Sequence, residues 1–200
     1  MRLADEHGLG LWRALGSIYA GWSRAEEGAA RQGVAMIRDG IARYRAAGAA
    51  LSLPLFLASL ASLEGATGNQ REALELLGQA QAAGTAGDEH WMSAEIHRLT
   101  GEAMLAGNGD AAGAEREFQA ALALARQQGA RLWELRAATS LARLSRGDNG
   151  AAAARDTLAR VYRSFSEGFT EPDLEQAKAV LGEPVAARIP DRRRQATDGA

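Results

Sequence analysis

A pattern that recurs about every forty residues constrains this chain more than any other feature of its sequence. Each copy has a small residue, a large apolar residue four positions later and, three positions further, a residue that is small in all but the last copy. The four copies are Gly33-Ile37-Gly40, Ala73-Leu77-Ala80, Ala114-Phe118-Ala121 and Ala154-Leu158-Val161. The large residues follow one another at intervals of 40, 41 and 40 residues. Such a period predicts stacked structural repeats, each unable to bury its apolar face alone.

The elements within each repeat are predicted to be helices. The helix-favouring residues Ala, Leu, Arg and Glu are abundant, and apolar residues recur at three- and four-residue spacing, as in Leu132 and Leu135. Short clusters of Gly, Asn and Asp at 66–69, 106–113 and 146–150 are typical of turns between antiparallel helices. The sequence therefore predicts helical hairpins, in which small residues on the second helix let the first helix approach closely.

Glycines near the end of each second helix are predicted to stop that helix, because glycine accepts the left-handed conformation found at helix ends. They lie ten or eleven residues beyond the large residue of their repeat, at Gly48, Gly87, Gly129 and Gly168.

Gly8 is predicted to stop a helix in the same way, and the rest of the repeat to which that helix would belong is absent from the sequence. We therefore interpret residues 1–7 as the end of a helix from a preceding repeat, and the chain as the C-terminal piece of a longer solenoid. Leu9, Trp12 and Leu15 would then form an exposed apolar edge, since solenoids normally cover such an end with a capping repeat.

Charge and composition exclude several classes of function. Lys and Arg number 23 against 25 Asp and Glu, a formal net charge of -2, so the chain lacks an overall basic field to hold nucleic acid or an anionic membrane. The sequence has no cysteine, which excludes disulfides, thiolate zinc sites and cysteine nucleophiles. No apolar run approaches the ~20 residues of a membrane span. We expect a cytoplasmic protein that binds neither nucleic acid nor membrane.

The first hairpin contains Trp12, Leu15, Gly16 and Tyr19 in the spacing W-x2-L-G-x2-Y. This spacing, and the A-x3-F-x2-A form of the later triplets, resemble tetratricopeptide repeats, although the period exceeds their usual ~34 residues. The resemblance implies an all-α fold, a right-handed α-solenoid of about four helical hairpins with a C-terminal capping helix. The repeats are predicted at 9–48, 51–87, 89–129 and 131–168, the capping helix at 171–182 and a disordered tail at 183–200.

Longer stretches are similar to the C-terminal helical repeat region of large bacterial signalling proteins. They are EHG (6–8), AEIHRLTGE (94–102), ARQQGARLWELRAATSLARL (125–144) and FSEGFTEPDLEQAKAVL (165–181). In that family the repeats follow an ATPase module, commonly with an adenylate/guanylate cyclase domain in front or with a LuxR-type DNA-binding domain. The resemblance covers residues 3–182 and implies a module that regulates such partners.

The chain has no motif for the chemistry of that family, since no G-x4-G-K-[ST] phosphate loop, cyclase carboxylate motif or helix-turn-helix can be placed. The stretch GNGDAAG (107–113) lacks the Lys and Ser/Thr of a phosphate loop and is interpreted as a turn within a hairpin. The histidines, His7, His90 and His97, lack further ligands for a metal and are interpreted as surface residues. We predict no catalytic residue, cofactor or metal.

One helix carries a candidate ion network. Glu95, Arg98 and Glu102 have the i, i+3, i+7 spacing that lets the arginine pair with both carboxylates. We prefer this interpretation to an acid–base pair, because the arginine would keep both carboxylates ionised.

Arg136, Arg143 and Arg146 are the candidate partner-binding residues. Their seven-plus-three spacing sets them along one helical stripe, on the first helix of the repeat that contains Ala154. In tetratricopeptide folds that helix lines the concave surface, where charge-assisted hydrogen bonds could hold an acidic peptide or a phosphorylated segment. The alternative is a solvated face whose arginine stems cover apolar neighbours.

The large aromatic side chains are predicted to lie mostly in the core, where they lock hairpins together, with an exposed stacking platform as the alternative. They are Trp12, Trp22, Trp91, Trp133, Tyr19, Tyr44, Phe56 and Phe118.

The final helix is predicted to begin at an N-cap at Thr170, with Pro172 in its first turn. Its inward-facing residues are predicted to be Leu174, Ala177 and Leu181. This helix would seal the end of the solenoid.

Together these features favour a non-catalytic scaffold or sensor that binds proteins or effectors and regulates an ATPase, a nucleotide cyclase or a transcription regulator. A ligand would act by favouring one curvature or docking state of the repeats. Two alternatives stay open. One is a cyclase or ATPase whose catalytic domains are missing from this chain, and the other is a free-standing adaptor that self-associates through its uncapped N-terminal end.

Overall fold

The structure, a computed structural model, describes residues 9–145 and 150–182. Within these ranges the chain forms nine α-helices and one short 3-10 helix, His90–Met92, and no strand, which confirms the all-α class. The α-helices are α1 Gly10–Glu26, α2 Ala30–Ala46, α3 Leu53–Ala66, α4 Gln70–Gly87, α5 Ser93–Asn108, α6 Ala111–Gln128, α7 Arg131–Leu144, α8 Ala151–Tyr162 and α9 Pro172–Leu181. The predictions for residues 1–7, His7, Gly8, Arg146 and the tail 183–200 lie outside the described residues, as does the turn predicted at 146–150 except for Gly150.

Consecutive helices pack as pairs, α1 with α2, α3 with α4, α5 with α6 and α7 with α8. The first helices of neighbouring pairs also meet, since α3 contacts α5, α5 contacts α7, and α7 contacts α9. An edge-to-face contact between the rings of Tyr19 and Phe56, with centroids 6.3 Å apart, joins α1 to α3. The first helices and α9 therefore form one row.

The repeated triplets lie on the second helices of the four pairs, and all their residues are buried. The pair of α1 and α2 shows why small residues are needed there. A Cβ atom on Gly33 would lie 2.6 Å from the carbonyl oxygen of Gly21, and one on Gly40 would lie 2.7 Å from Ile18. Because real Cβ atoms do not approach so closely, glycine sets the distance between these two helices.

Two of the predicted stop glycines are confirmed. Gly48 and Gly129 follow α2 and α6 with φ of +74° and +66°. The backbone N–H of Ala130, beside Gly129, donates to the carbonyl of Ala125 at 2.9 Å, as expected for a glycine-stopped helix.

The other two stop predictions are wrong. Gly87 is the last helical residue of α4, and Asp88 takes the left-handed position with φ of 54°. Asp tolerates this conformation because its short polar side chain can hydrogen-bond locally. Gly168 has φ of +76° but lies in the connection to α9, because α8 already ends at Tyr162.

The buried apolar side chains form two clusters. The N-terminal core spans α1 to α5 and contains large side chains such as Ile18, Phe56 and Leu60. The C-terminal core spans α6 to α9 and is rich in alanine, with Leu135 and Leu158 among its larger members. Its alanines are Ala121, Ala137, Ala138, Ala142, Ala154 and Ala177.

The last helix, α9, begins slightly later than predicted. Glu171 occupies the N-cap position that was predicted for Thr170, and its backbone is extended, with φ of -73° and ψ of 144°. The cause is Pro172, which is favoured at the first helical position and disfavours helical geometry in the residue before it.

The inward face of α9 is largely as predicted. Leu174 and Ala177 are buried, whereas Leu181 is half-buried and Val180 is buried instead. Arg155 of α8 donates to the carbonyl oxygens of Val180 and Leu181 and so satisfies the end of the helix.

A candidate ligand cleft along the first helices

A cleft with a volume of about 900 Å³ crosses the row of first helices. Residues of α1, α3, α5, α7 and α9 line it, together with the 3-10 helix before α5. This position follows from the pairing of the helices, because the first helices are neighbours and present side chains to a common space. The volume lies at the upper end of the ~300–1,000 Å³ of ligand pockets.

Three of the four tryptophans line this cleft, namely Trp22 of α1, Trp91 of the 3-10 helix and Trp133 of α7. The rings of Trp91 and Trp133 are stacked, with centroids 5.9 Å apart and planes inclined at 23°. Trp91 is 43% exposed, whereas Trp22 and Trp133 are partly buried against the N-terminal core. The cleft thus presents aromatic surface that is anchored in the core.

The remaining aromatic side chains divide between core and surface. Tyr44, Phe56 and Phe118 are buried, as predicted, whereas Trp12 and Tyr19 are exposed. The prediction that aromatic residues lie in the core is therefore wrong for these two and for Trp91.

Arg136 is held by carboxylates of two other helices. Its Nε and Nη2 atoms donate to the two carboxylate oxygens of Asp173 in α9 at 2.9 and 2.8 Å, and its Nη1 atom donates to Oε1 of Glu95 in α5 at 3.1 Å. Burial lowers the pKa of Arg136, but the hydrogen bonds and charges of Asp173 and Glu95 outweigh burial and raise it above its ordinary value. One charged guanidinium therefore joins α5, α7 and α9.

The ion network predicted around Arg98 is confirmed. Nε and Nη2 of Arg98 donate to the carboxylate of Glu95, both at 2.9 Å, and Nη1 lies 3.4 Å from Oε1 of Glu102. The hydroxyl of Ser140 donates to the same Glu102 oxygen at 2.6 Å. Glu95 is only 6% exposed and accepts from both Arg98 and Arg136, so the network extends from α5 to α7.

Arg143 lies on the same face of α7 as Arg136 and also lines the cleft. Its Nη2 atom donates to the side-chain oxygen of Gln176 at 3.3 Å, and it meets no carboxylate among the described residues. The predicted stripe therefore contains two arginines of different character, one paired with carboxylates and one with an amide. Its third member, Arg146, lies outside the described residues.

Glu26 lines the cleft at the α1 end of the row, one helical turn after Trp22. Its carboxylate accepts no hydrogen bond and joins no ion pair with any residue in 9–145 or 150–182. The next residue, Glu27, does not line the cleft and pairs with Arg24 at 3.1 Å.

The sequence matches no protein-family model and no curated protein. Within the described ranges, none of the helices combines the length and the apolar character needed to cross a membrane. Inferences about function therefore rest on the residues of the cleft and of the surface.

Sequence reasoning missed the contribution of α9 to the cleft. Asp173 lies 37 residues after Arg136, and Arg136 lies 41 residues after Glu95. The second separation equals the repeat period, so comparing charges one period apart would have found the pair of Glu95 and Arg136. Asp173 lies about one helical turn short of that spacing, and such a comparison would have missed it.

The predicted N-terminal edge is exposed in two of its three residues. Leu9 and Trp12 are 45% and 63% exposed, whereas Leu15 is partly buried against the N-terminal core. Leu11 and Tyr19 extend the exposed apolar surface and were not predicted as part of it.

The residues considered for other chemistry have local partners. His97 Nδ1 lies 2.7 Å from Oε2 of Glu117, across α5 and α6. The predicted turn at GNGDAAG is shorter than expected, since only Gly109 and Asp110 lie between the two helices, and Asp110 accepts a hydrogen bond from the N–H of Gly113 at 2.8 Å. In the part of the chain that the structure describes, no group of three or more His, Asp or Glu side chains is arranged to hold a metal ion.

Proposed function

We propose that this chain is a non-catalytic scaffold or sensor module that binds a segment of a partner protein in its cleft. In this proposal the helix pairs form a right-handed, tetratricopeptide-like solenoid that α9 closes. The observation that supports it most is the continuous cleft along α1, α3, α5, α7 and α9. Trp and Arg, the residue types enriched at binding hot spots, each supply three residues to its lining.

Binding in this cleft would depend on how the repeats are arranged relative to one another. A segment that contacts several first helices at once gains all of its contacts only when the pairs have the matching spacing. It therefore shifts the population toward that arrangement. Such a shift could regulate an attached or associated ATPase, nucleotide cyclase or transcription regulator.

A phage-displayed library of random peptides tests the proposal, because the selection does not require the partner to be identified first. We expect the 200-residue chain to enrich peptides that bind it, and the Trp91→Ala/Trp133→Ala double variant to bind them at least about tenfold more weakly. The matched control is Trp12→Ala, which removes an exposed tryptophan outside the cleft lining and should leave binding unchanged. Far-UV circular dichroism checks that the variants are folded.

Two outcomes would contradict the proposal. One is the absence of any enriched peptide, and the other is an equal loss of binding in the Trp12→Ala control. ATP turnover by the purified chain above that of a vector-only preparation would contradict its non-catalytic part.

Self-association is a second candidate function, and the exposed apolar surface at Leu9, Leu11, Trp12 and Tyr19 favours it. We expect light scattering to give a mass above that of the monomer, and the Trp12→Glu variant to return the mass to the monomer value. A monomeric wild-type chain at all concentrations would exclude this function.

A further inference from the structure

We propose that the cleft recognises a partner segment with a Lys or Arg side chain at its α1 end, an Asp or Glu side chain at its α7 end, and apolar or aromatic side chains between them. This inference rests on the proposed function and adds the charge pattern of the partner. Glu26 would bind the basic side chain, and Arg143 would bind the acidic one.

The charges in the middle of the cleft are already compensated within the protein. Arg98 is paired with Glu95 and Glu102, and Arg136 is paired with Asp173 and Glu95. A ligand carboxylate that reached Arg136 would have to replace the two-point contact with Asp173. A ligand cation that reached Glu95 would have to compete with two arginines in a site that is largely removed from water. Charged ligand groups are therefore disfavoured in this part of the cleft.

The α1 end of the cleft is suited to a cation. The Glu26 carboxylate has no partner among the described residues, so it is available without the loss of an internal ion pair. Trp22 lies one turn earlier on the same side of α1 and lines the same space. A Lys or Arg side chain placed there could interact with the carboxylate and with the aromatic ring, which attracts cations.

The α7 end is suited to an anion. Arg143 donates only to the neutral side chain of Gln176, at 3.3 Å, among the described residues. A carboxylate could instead accept two parallel, charge-assisted hydrogen bonds from the guanidinium, which are shorter and stronger than a bond to an amide. The amide group of Gln176 could turn to donate to the same carboxylate.

The surface between the two ends combines apolar side chains with hydroxyl groups and with the internally paired charges. The apolar part is the one that a partner segment can cover without displacing an internal ion pair. Leu55 and Leu63 of α3, Leu99 of α5 and the stacked pair Trp91 and Trp133 line it. Because Glu26 is on the first helix of the row and Arg143 on the fourth, a segment that reaches both must cross α3 and α5. The two unequal ends thus fix the direction of the segment as well as its composition.

Synthetic peptides taken from the library selection test the charge pattern. We expect replacement of the peptide's Arg by citrulline, or of its Asp by Asn, to weaken binding to the wild-type chain about tenfold, measured by isothermal titration calorimetry. Glu26→Gln should remove the effect of citrulline, and Arg143→Gln should remove the effect of Asn. The matched control variants are Glu27→Gln and Arg116→Gln, which change exposed charges outside the cleft and should keep both effects.

A charge reversal tests the same inference independently. Selection with the Glu26→Lys variant should enrich peptides with Asp or Glu where the wild-type chain selects Lys or Arg. Glu26 is exposed and makes no described contact, so the variant should fold.

The outcomes separate this inference from the proposed function. Peptides that need Trp91 and Trp133 but tolerate citrulline and Asn would overturn the charge pattern and leave the proposed function standing. Peptides that are uniformly acidic would likewise overturn it, since they would not use Glu26. If no peptide is selected at all, the proposed function fails and the inference fails with it.

Discussion

The two halves of the molecule hold their helices together by different means. Most members of the N-terminal core are large side chains, and glycines set the spacing of α1 and α2. The C-terminal core is rich in alanine, and partly buried ion pairs surround it. Besides the Arg136 network, Glu134 is buried and accepts from Arg126 at 2.9 Å. The N-terminal half also has an ion network, in which Arg38 pairs with the buried Glu64 and with Glu72, but that network lies outside the cleft, whereas the Arg136 network lines it.

This difference matters because the cleft crosses both halves. Trp22 and Glu26 belong to the sterically fixed half, whereas Arg136 and Arg143 stand on α7 in the other. Ion pairs that are partly exposed respond to salt and to competing ligands more than apolar contacts do. We therefore expect the α7–α9 side of the cleft to adjust to a ligand and the α1–α3 side to stay fixed.

The largest expected effect comes from removing a large side chain of the N-terminal core. Phe56 is fully buried, so Phe56→Ala should lower the free energy of unfolding by about 3–5 kcal/mol, because it leaves a cavity among tightly packed neighbours. Urea unfolding followed by circular dichroism measures this change. Leu51→Ala, at a residue that is 72% exposed, is the control and should change stability by less than about 0.5 kcal/mol. Equal effects would show that the N-terminal half is not held by packing.

The next effect concerns the ion network that joins the two halves through Glu95 of α5 and Arg136 of α7. Glu95→Gln should lower the free energy of unfolding by about 2–3 kcal/mol, between the ~0–1 kcal/mol of an exposed pair and the ~3–5 kcal/mol lost on breaking a buried one. Glu95 is nearly buried, but its partner Arg136 is one-third exposed. Glu75→Gln removes a partner of the exposed Arg71 and should have almost no effect. If the two variants unfold alike in urea, the network does not stabilise the junction of the two halves.

Two glycine-to-alanine substitutions should change the free energy of unfolding by smaller amounts and in opposite directions. Gly40→Ala should destabilise by about 1–3 kcal/mol, because the new Cβ would meet Ile18 at 2.7 Å and the carbonyl of Ala14 at 2.9 Å. Gly78→Ala, inside α4 with open space around it, should stabilise by about 0.5–1 kcal/mol, because alanine favours the helix. Thermal melts of the two variants should therefore shift in opposite directions, and a shared direction would contradict the close approach of α1 and α2.

The smallest effect is the response to salt. At 1 M NaCl the Debye length is about 3 Å, so partly exposed ion pairs are screened. We expect amide hydrogen exchange in α9, which Asp173 ties to Arg136, to accelerate a few-fold on going from low salt to 1 M NaCl. Amides of α1 near Ile18, where apolar packing and close glycine contacts hold the helix, should change less. An equal response in both helices would remove the distinction between the halves.

Much of the fold was predictable because its signals are local. Helix periodicity, the turn near 66–69 and the buried triplets depend on residues a few positions apart, and the structure has them as expected. The turn predicted at 106–113 is present but is reduced to Gly109 and Asp110. The Arg98 network was predictable for the same reason, since its members share one helix.

The features that were not predicted depend on how distant segments meet. The pairing of Arg136 with Asp173 requires α9 to stand beside α7, and no local pattern states this. Trp91 was expected in the core, but it lies on a 3-10 helix at the rim of the cleft, where stacking on Trp133 leaves its other surface exposed. In both cases the two partners are separated in the sequence by a distance near the repeat period. Their contact follows only from the packing of neighbouring first helices.

The most direct test of the central claim is a crystal structure of the chain with a library-selected peptide bound. We predict that the peptide lies in the cleft across α1, α3, α5 and α7 and contacts Trp91 and Trp133. A peptide bound on the second helices α2, α4 and α6, or at the exposed edge around Trp12, would contradict the account.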